Sequence, residues 1–278
     1  MSGLLDRMAK ASRERVRAAR ATEPESRLLA RAAAVPPAPP LALGAFDVIA
    51  ELKLRSPSAG GLARQGLDRD AQIAEYCEGG AAAISVLTEP DEFGGSLEHL
   101  RDAAKLAAAH GRPVMRKDFL TDPYQVAEAR AAGAGGVLII VTMLADADVA
   151  ALLHAARELG LFALLEAFDA DDLERIAALD LGPSSGPPVL AGVNCRNLRT
   201  LEVDFGRFAE LAPRLPTGFP AVAESGIDGP DDARSVASNG YRLALVGSAL
   251  MRAAEPRRAL AELIAAGRDA AAEPMTRP

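Results

Sequence analysis

Short apolar runs recur along the chain, each closing on a charge, a hydroxyl or a glycine. They are Val48–Leu54, Ala82–Thr88, Pro113–Lys117, Gly136–Val141, Phe162–Glu166, Val189–Asn194, Ala221–Glu224 and Leu243–Val246. Each has the length and aliphatic content of a buried strand. Between them lie Ala-rich stretches with apolar residues at helical spacing, such as Gln125 to Ala132, Asp146 to Leu159 and Asp231 to Asn239. Strands alternating with helices predict a parallel sheet. Eight such units in about 250 residues predict a single (β/α)8 TIM barrel, preceded by an N-terminal helical extension.

Helix boundaries are marked as well. Thr121-Asp122-Pro123 places Pro at an opening turn, where its missing N–H costs nothing. Asp169 to Asp172 and Asp228 to Asp232 put carboxylates in first turns, where the helix dipole favours them. Gly111, Gly133, Gly160 and Gly240 follow helices as C′ residues.

These signals divide the chain into an extension over residues 1–45, a barrel over 46–267 and a frayed tail over 268–278. In the extension, Leu4, Leu5, Met8 and Val16 among Arg and Ala residues predict one amphipathic helix. Its basic face, Arg13 to Arg20, reads first as a solvated helix face and second as a contribution to substrate closure. Val35–Pro40 is a stiff extended link. Gly182–Pro188 is a loose loop before the sixth strand.

Composition narrows the function. At 278 residues the chain can bury a large core in one domain. Hydrophobic residues make up 49% and aromatics only 4%, so aliphatic side chains must fill the interior. A formal net charge of −7 argues against a nucleic-acid or anionic-membrane surface, so any phosphate site must be local. The two cysteines, Cys77 and Cys195, lack metal-ligand spacing and fit a reducing cytoplasm. The sequence offers no His/Cys/Asp cluster to hold a metal. No apolar run is long enough to span a bilayer, and the N-terminus lacks a signal-peptide core.

Candidate chemistry gathers at the strand ends. Glu51 and Lys53 are two apart and share one strand face. Buried charges are costly unless paired or used, so a satisfied ion pair and a working site are both open readings. Lys117, Glu166, Asn194 and Glu224 close later strands. Ser225-Gly226 and Gly247-Ser248 follow strands seven and eight, where barrels commonly hold phosphate on backbone N–H groups; Ser56 could add a hydroxyl. Cys195 lies between Asn194 and Arg196, so strand alternation turns it toward the helices.

Six motifs taken together are similar to those of the indole-3-glycerol phosphate synthase family. They are Ile49-Ala50-Glu51-Leu52-Lys53 with Ser56-Pro57-Ser58, and Ile84-Ser85-Val86-Leu87-Thr88-Glu89 with Phe93-Gly94-Gly95-Ser96. Arg116-Lys117-Asp118-Phe119 with Asp122-Pro123-Tyr124-Gln125 follows, then Gly192-Val193-Asn194 with Arg196-Asn197-Leu198. Glu224-Ser225-Gly226-Ile227 and Val246-Gly247 with Leu250-Met251 complete the set. The resemblance covers nearly the whole chain. It implies a cofactor-free lyase of tryptophan biosynthesis. The implied reaction converts 1-(2-carboxyphenylamino)-1-deoxyribulose 5-phosphate to indole-3-glycerol phosphate, releasing CO2 and water.

By resemblance, Lys117 and Lys53 are acids, Glu166 is the base, and Glu51 and Asn194 orient the reacting groups. Arg196 meets the anthranilate carboxylate, and Phe93 covers the ring. Glu224, Ser225, Gly226, Gly247, Ser248 and Ser56 complete the substrate site. The partner implied is a phosphorylated small molecule, with neither nucleic acid nor membrane. The implied state is a cytoplasmic monomer that associates with other tryptophan-pathway enzymes. Two alternatives remain open: a paralogue acting on a modified anthranilate, and a silent barrel that only binds a phosphorylated ligand. Three positions depart from the family pattern. Cys195 replaces a usual Asn or other polar residue, Phe168 a common His, and Glu92 a common aromatic.

Overall fold

The computed structural model describes residues 3–53, 55–56, 60–61, 68–179, 186–197 and 200–272. The Ser56 side chain, most of the Gly182–Pro188 loop and residues 273–278 of the expected tail lie outside the described residues. Barrel strands are β1 Asp47–Leu52, β2 Ala83–Leu87, β3 Val114–Lys117 and β4 Gly136–Ile140. They continue as β5 Phe162–Ala167, β6 Val189–Asn194, β7 Ala221–Glu224 and β8 Leu243–Val246. Their order, β1-β8-β7-β6-β5-β4-β3-β2, closes on itself. Every barrel pairing is parallel. The predicted (β/α)8 barrel is therefore present. A separate two-residue ribbon pairs Arg55–Ser56 with Gly60–Gly61 after β1.

Alternation along the strands sorts side chains into two cores. Ile49, Met115, Leu138, Leu164, Val222 and Leu243 fill the barrel interior. Val48, Ile84, Val137, Leu165, Val193 and Ala223 face the helices. Phe162 plugs the interior beside Gly136, where a Cβ would lie 2.3 Å from its ring. That close approach requires glycine, because real Cβ contacts are never so short.

The extension departs from the single expected helix. Helix α1 spans Leu4–Thr22, and a second helix, α2, spans Glu25–Ala34. Pro24 separates them, since a residue before proline leaves the helical region. Leu28 and Ala32 of α2 pack with Val16 of α1 against Tyr124, Ala127 and Ala131. Those three belong to helix α5, Pro123–Ala131. The basic face is only partly solvated: Arg13, Arg17 and Arg20 are exposed, but Arg15 is half-buried in an ion pair with Asp118.

The helices that alternate with the strands include α3 Arg69–Glu78, α4 Leu97–Ala109, α6 Asp146–Glu158 and α7 Ala170–Ala177. They are followed by α8 Arg207–Leu211, α9 Pro230–Ser238, α10 Ser248–Arg252 and α11 Pro256–Ala272. Asp122 and Asp169 cap α5 and α7 by accepting from Tyr124 N and Asp172 N. Gly111, Gly133, Gly160 and Gly240 all have φ between 67 and 90°. Residues 268–272, expected in the frayed tail, are helical. Helix α11 continues to Ala272, and Arg268 pairs with buried Asp47 at 2.7 Å, tying it to the foot of β1. Among the described residues no helix is long and apolar enough to cross a membrane.

Candidate active site

Carboxyl ends of parallel barrel strands gather on one face, where the loops that follow them can converge. Here they enclose a cavity of about 590 Å³. It is lined by Lys117, Lys53, Glu166, Glu51, Asn194, Arg196, Phe93, Glu224, Ser225, Gly226, Gly247 and Ser248. Every expected site residue apart from Ser56 thus lies on one wall or another of this mouth.

Lys117 stands at its centre. At the end of β3 its side chain points inward, and Nζ lies 3.0 Å from Glu166 Oε2 and 3.2 Å from Glu224 Oε2. Burial opposes the charged lysine, but Glu166, Glu224 and Glu51 outweigh it and raise its pKa. Lys117 is therefore held as an ammonium. Glu166 is fixed from its other oxygen, where Asn194 Nδ2 donates at 3.0 Å. Asn194 Oδ1 accepts from the Arg196 backbone at 3.0 Å and from Ser225 Oγ at 2.9 Å. One amide thus ties the ends of β5, β6 and β7 together.

Glu51 and Lys53 stand together, as strand alternation predicts. They form an ion pair at 2.9 Å, and both face the mouth. Burial opposes the Glu51 carboxylate, yet Lys53, Lys117 and Arg196 hold its pKa below the ordinary value. Glu224 goes the other way. Burial, reinforced by Glu166 and opposed by Lys117, pushes its carboxyl up to about 8.

Two glycines make room for these acids. A Cβ on Gly192 would fall 2.2 Å from Glu224 Oε1, and one on Gly247 would fall 2.6 Å from Glu51 Oε1. Ser225 and Gly226 both have left-handed backbones, φ 70 and 77°, which turn the chain sharply at the end of β7. Gly247-Ser248 faces them from the start of α10.

The opposite wall is apolar. Phe93 and Phe119 stand with ring centroids 6.2 Å apart, and Leu4 of α1 joins them at the rim. Phe168 packs against the inner core but does not line the cavity. Its backbone is fixed by Asp172, which accepts from its N–H, and by Arg207, which donates to its carbonyl. Glu92 sits in the turn after Glu89, its carbonyl accepting from Arg55 Nε at 3.0 Å. Arg196 donates Nη1 to the Leu201 carbonyl at 2.7 Å. Cys195 is turned away from the mouth, as alternation requires. It is buried in the helix-facing core, where desolvation raises its thiol to about 12.

Residue-by-residue reading missed the support behind Lys117. Asp118, Thr88, Arg116 and Glu89 form a buried polar group beneath the rim, reached from α1 by Arg15. The available signal was Arg116-Lys117-Asp118, three consecutive charges where a buried strand ends. Leu4, Leu201 and Val203 also line the mouth without having been singled out as substrate contacts.

Comparison with known proteins agrees with this geometry. The family model for indole-3-glycerol phosphate synthase matches residues 5–263. An indole-3-glycerol phosphate synthase from Parafrankia sp. (strain EAN1pec) is 48% identical over 80% of this chain and 78% of its own. One from Arthrobacter sp. (strain FB24) is 43% identical over 97% of this chain and 98% of its own. Among solved structures, 3-hexulose-6-phosphate synthase from Salmonella typhimurium superimposes with a TM-score of 0.62. It covers 81% of this chain and all of its own at 14% identity, a likeness of fold alone. With a family match across nearly the whole length and a mouth that brings the family's strand-end motifs together, the chain belongs to the indole-3-glycerol phosphate synthase family.

Proposed function

We propose that this mouth closes the indole ring of 1-(2-carboxyphenylamino)-1-deoxyribulose 5-phosphate, with Lys117 as the principal acid. The observation that carries the assignment is Lys117 Nζ, held between Glu166 and Glu224 at the centre of the cavity. Ring closure needs an aromatic carbon to attack a ketone, and negative charge develops on the ketone oxygen. A fixed ammonium in a pocket shielded from water stabilises that charge and can supply the proton. Loss of CO2 returns the electron pair to the ring. The hydroxyl then leaves as water, taking a proton from an acid while a base removes a ring-side proton.

Glu166 is placed for the base role, because Asn194 fixes one oxygen and Lys117 the other. Lys53, paired with Glu51, is the second acid. Arg196 is half-buried at the rim, where it can meet the anthranilate carboxylate. Phe93 lies where the aromatic ring would rest. The Ser225-Gly226 and Gly247-Ser248 turns face the phosphate end of the substrate. The same reading carries the expectation of a cytoplasmic monomer that associates with other tryptophan-pathway enzymes.

Purified protein mixed with the carboxyphenylamino-deoxyribulose phosphate should give indole absorbance and fluorescence. Lys117→Met and Glu166→Gln should each lower turnover by roughly 10²–10⁴-fold, the usual worth of a positioned acid or base. Circular dichroism should show both variants folded. Near-normal turnover in either folded variant removes that residue from the mechanism.

A further inference from the structure

The end of β3 is fixed from a distance. Arg116 and Asp118, on either side of Lys117, bond to each other at 3.0 Å. Both are almost wholly buried. Arg116 also donates to the Gln125 carbonyl at 2.8 Å and pairs with Glu128 at 3.0 Å. Asp118 accepts from Thr88 Oγ1 at 2.8 Å and from the Phe119 amide at 2.8 Å. All of these partners belong to the barrel. The remaining partner does not: Arg15 Nη2 of α1 donates to Asp118 Oδ1 at 2.8 Å across 103 positions of sequence.

The same guanidinium meets a second buried carboxylate. Arg15 Nη1 lies 3.7 Å from Glu89, whose side chain is fully buried. Glu89 accepts from the amides of Asp91, Glu92 and Phe93 at 3.0, 2.7 and 3.1 Å. It therefore shapes the turn that carries Phe93 to the mouth. Without Arg15, Asp118 would share Arg116 with Glu128, and Glu89 would lose the cation it pairs with. Buried carboxylates left short of compensation reorganise or take up protons. The face of α1 that bears Arg15 also carries buried Met8 and Ser12 and, at its first turn, Leu4 in the cavity wall.

We infer that Arg15 is a positioning residue for the reaction, holding Asp118 and Glu89 so that Lys117 and Phe93 meet the substrate in register. The inference rests on Lys117 being the principal acid. Arg20 provides a control on the same helix. It bonds to Asp122 through both Nη atoms at 2.9 Å on the exposed surface and docks α1 without touching Asp118 or Glu89.

The test compares kcat and KM of the full chain carrying Arg15→Ala, Arg15→Lys, Arg20→Ala or Lys117→Met, at a temperature where each is folded. Misplacement by an ångström can cost about 10²-fold in rate, so Arg15→Ala should lower kcat by roughly 10- to 100-fold. Arg15→Lys should recover part of that loss, since an ammonium can reach Asp118 but not both carboxylates. Arg20→Ala should keep kcat while lowering the thermal midpoint. If Arg15→Ala does not fold, Arg15→Gln replaces it with the same expectation. Unchanged kcat in the Arg15 variant, or an equal fall in Arg20→Ala, overturns the inference. Turnover that survives Lys117→Met overturns the reading of Lys117 and this inference with it. Loss in Lys117→Met beside unchanged turnover in Arg15→Ala overturns the inference alone.

Discussion

Glu224 sits deep enough in the mouth that burial decides its charge. Burial, opposed by Lys117, pushes its carboxyl up from the ordinary 4.5 to about 8. Between those values the folded protein holds a proton that the unfolded chain releases. The stability this proton contributes is complete below about pH 4.5 and is lost as pH rises toward about 8. Glu224→Gln has no such titration. The midpoint of wild type relative to Glu224→Gln should therefore fall as pH is raised across that window, measured by scanning calorimetry. A constant difference would mean that Glu224 is already ionised in the fold. Single positions were legible to different degrees. Glu51 and Lys53 could be placed together because strand alternation is a local rule. The pairing of Asp118 with Arg15 could not, because nothing within one turn of either residue specifies a partner 103 positions away.

Elements were easier to read than their ends. All eight strands lie where the apolar runs place them, because a strand buried on both faces leaves an uninterrupted aliphatic signature. Helix α2 was missed: its Leu28 and Ala32 are too few to announce an apolar stripe, and its seat is tertiary, against α5. What the strand register adds is space. On β6, Gly192 pairs with Val222 of β7, next but one to Glu224, and the missing Cβ leaves room for the Glu224 carboxyl. Gly192→Ala should push that carboxyl aside, since its Cβ would lie 2.2 Å from Oε1 and 3.0 Å from Leu164 Cδ1. Overpacking of this kind costs about 1–3 kcal/mol. The variant should fold with a lowered midpoint and lose turnover, because Lys117 loses one of the two carboxyl groups that hold it. Unchanged turnover in a folded Gly192→Ala protein would show that Glu224 can shift without disturbing Lys117.

At the scale of the whole molecule, the two ends of the barrel are specialised. At the amino-terminal end Asp47 is paired with Arg268 of the last helix, while the carboxyl end holds the mouth. The net charge of −7 gives no general attraction for an anion, so phosphate recognition must come from local groups. The Ser225-Gly226 and Gly247-Ser248 turns are the groups at hand, with Lys53 and Arg196 lining the same cavity. Inorganic phosphate should therefore inhibit competitively with the phosphorylated substrate. Binding to the folded state alone also stabilises it by mass action, about 2.7 kcal/mol at a hundredfold excess over Kd. The thermal midpoint should rise with phosphate concentration at constant ionic strength, and chloride at the same ionic strength should not reproduce the rise. Gly226→Ala provides the structural control. Its backbone has φ 77°, and a Cβ would lie 2.7 Å from Val203 Cγ1, so the turn must move. The phosphate-dependent rise should shrink in that variant while the barrel stays folded. Noncompetitive inhibition, or an undiminished rise in Gly226→Ala, would place the phosphate elsewhere on the molecule.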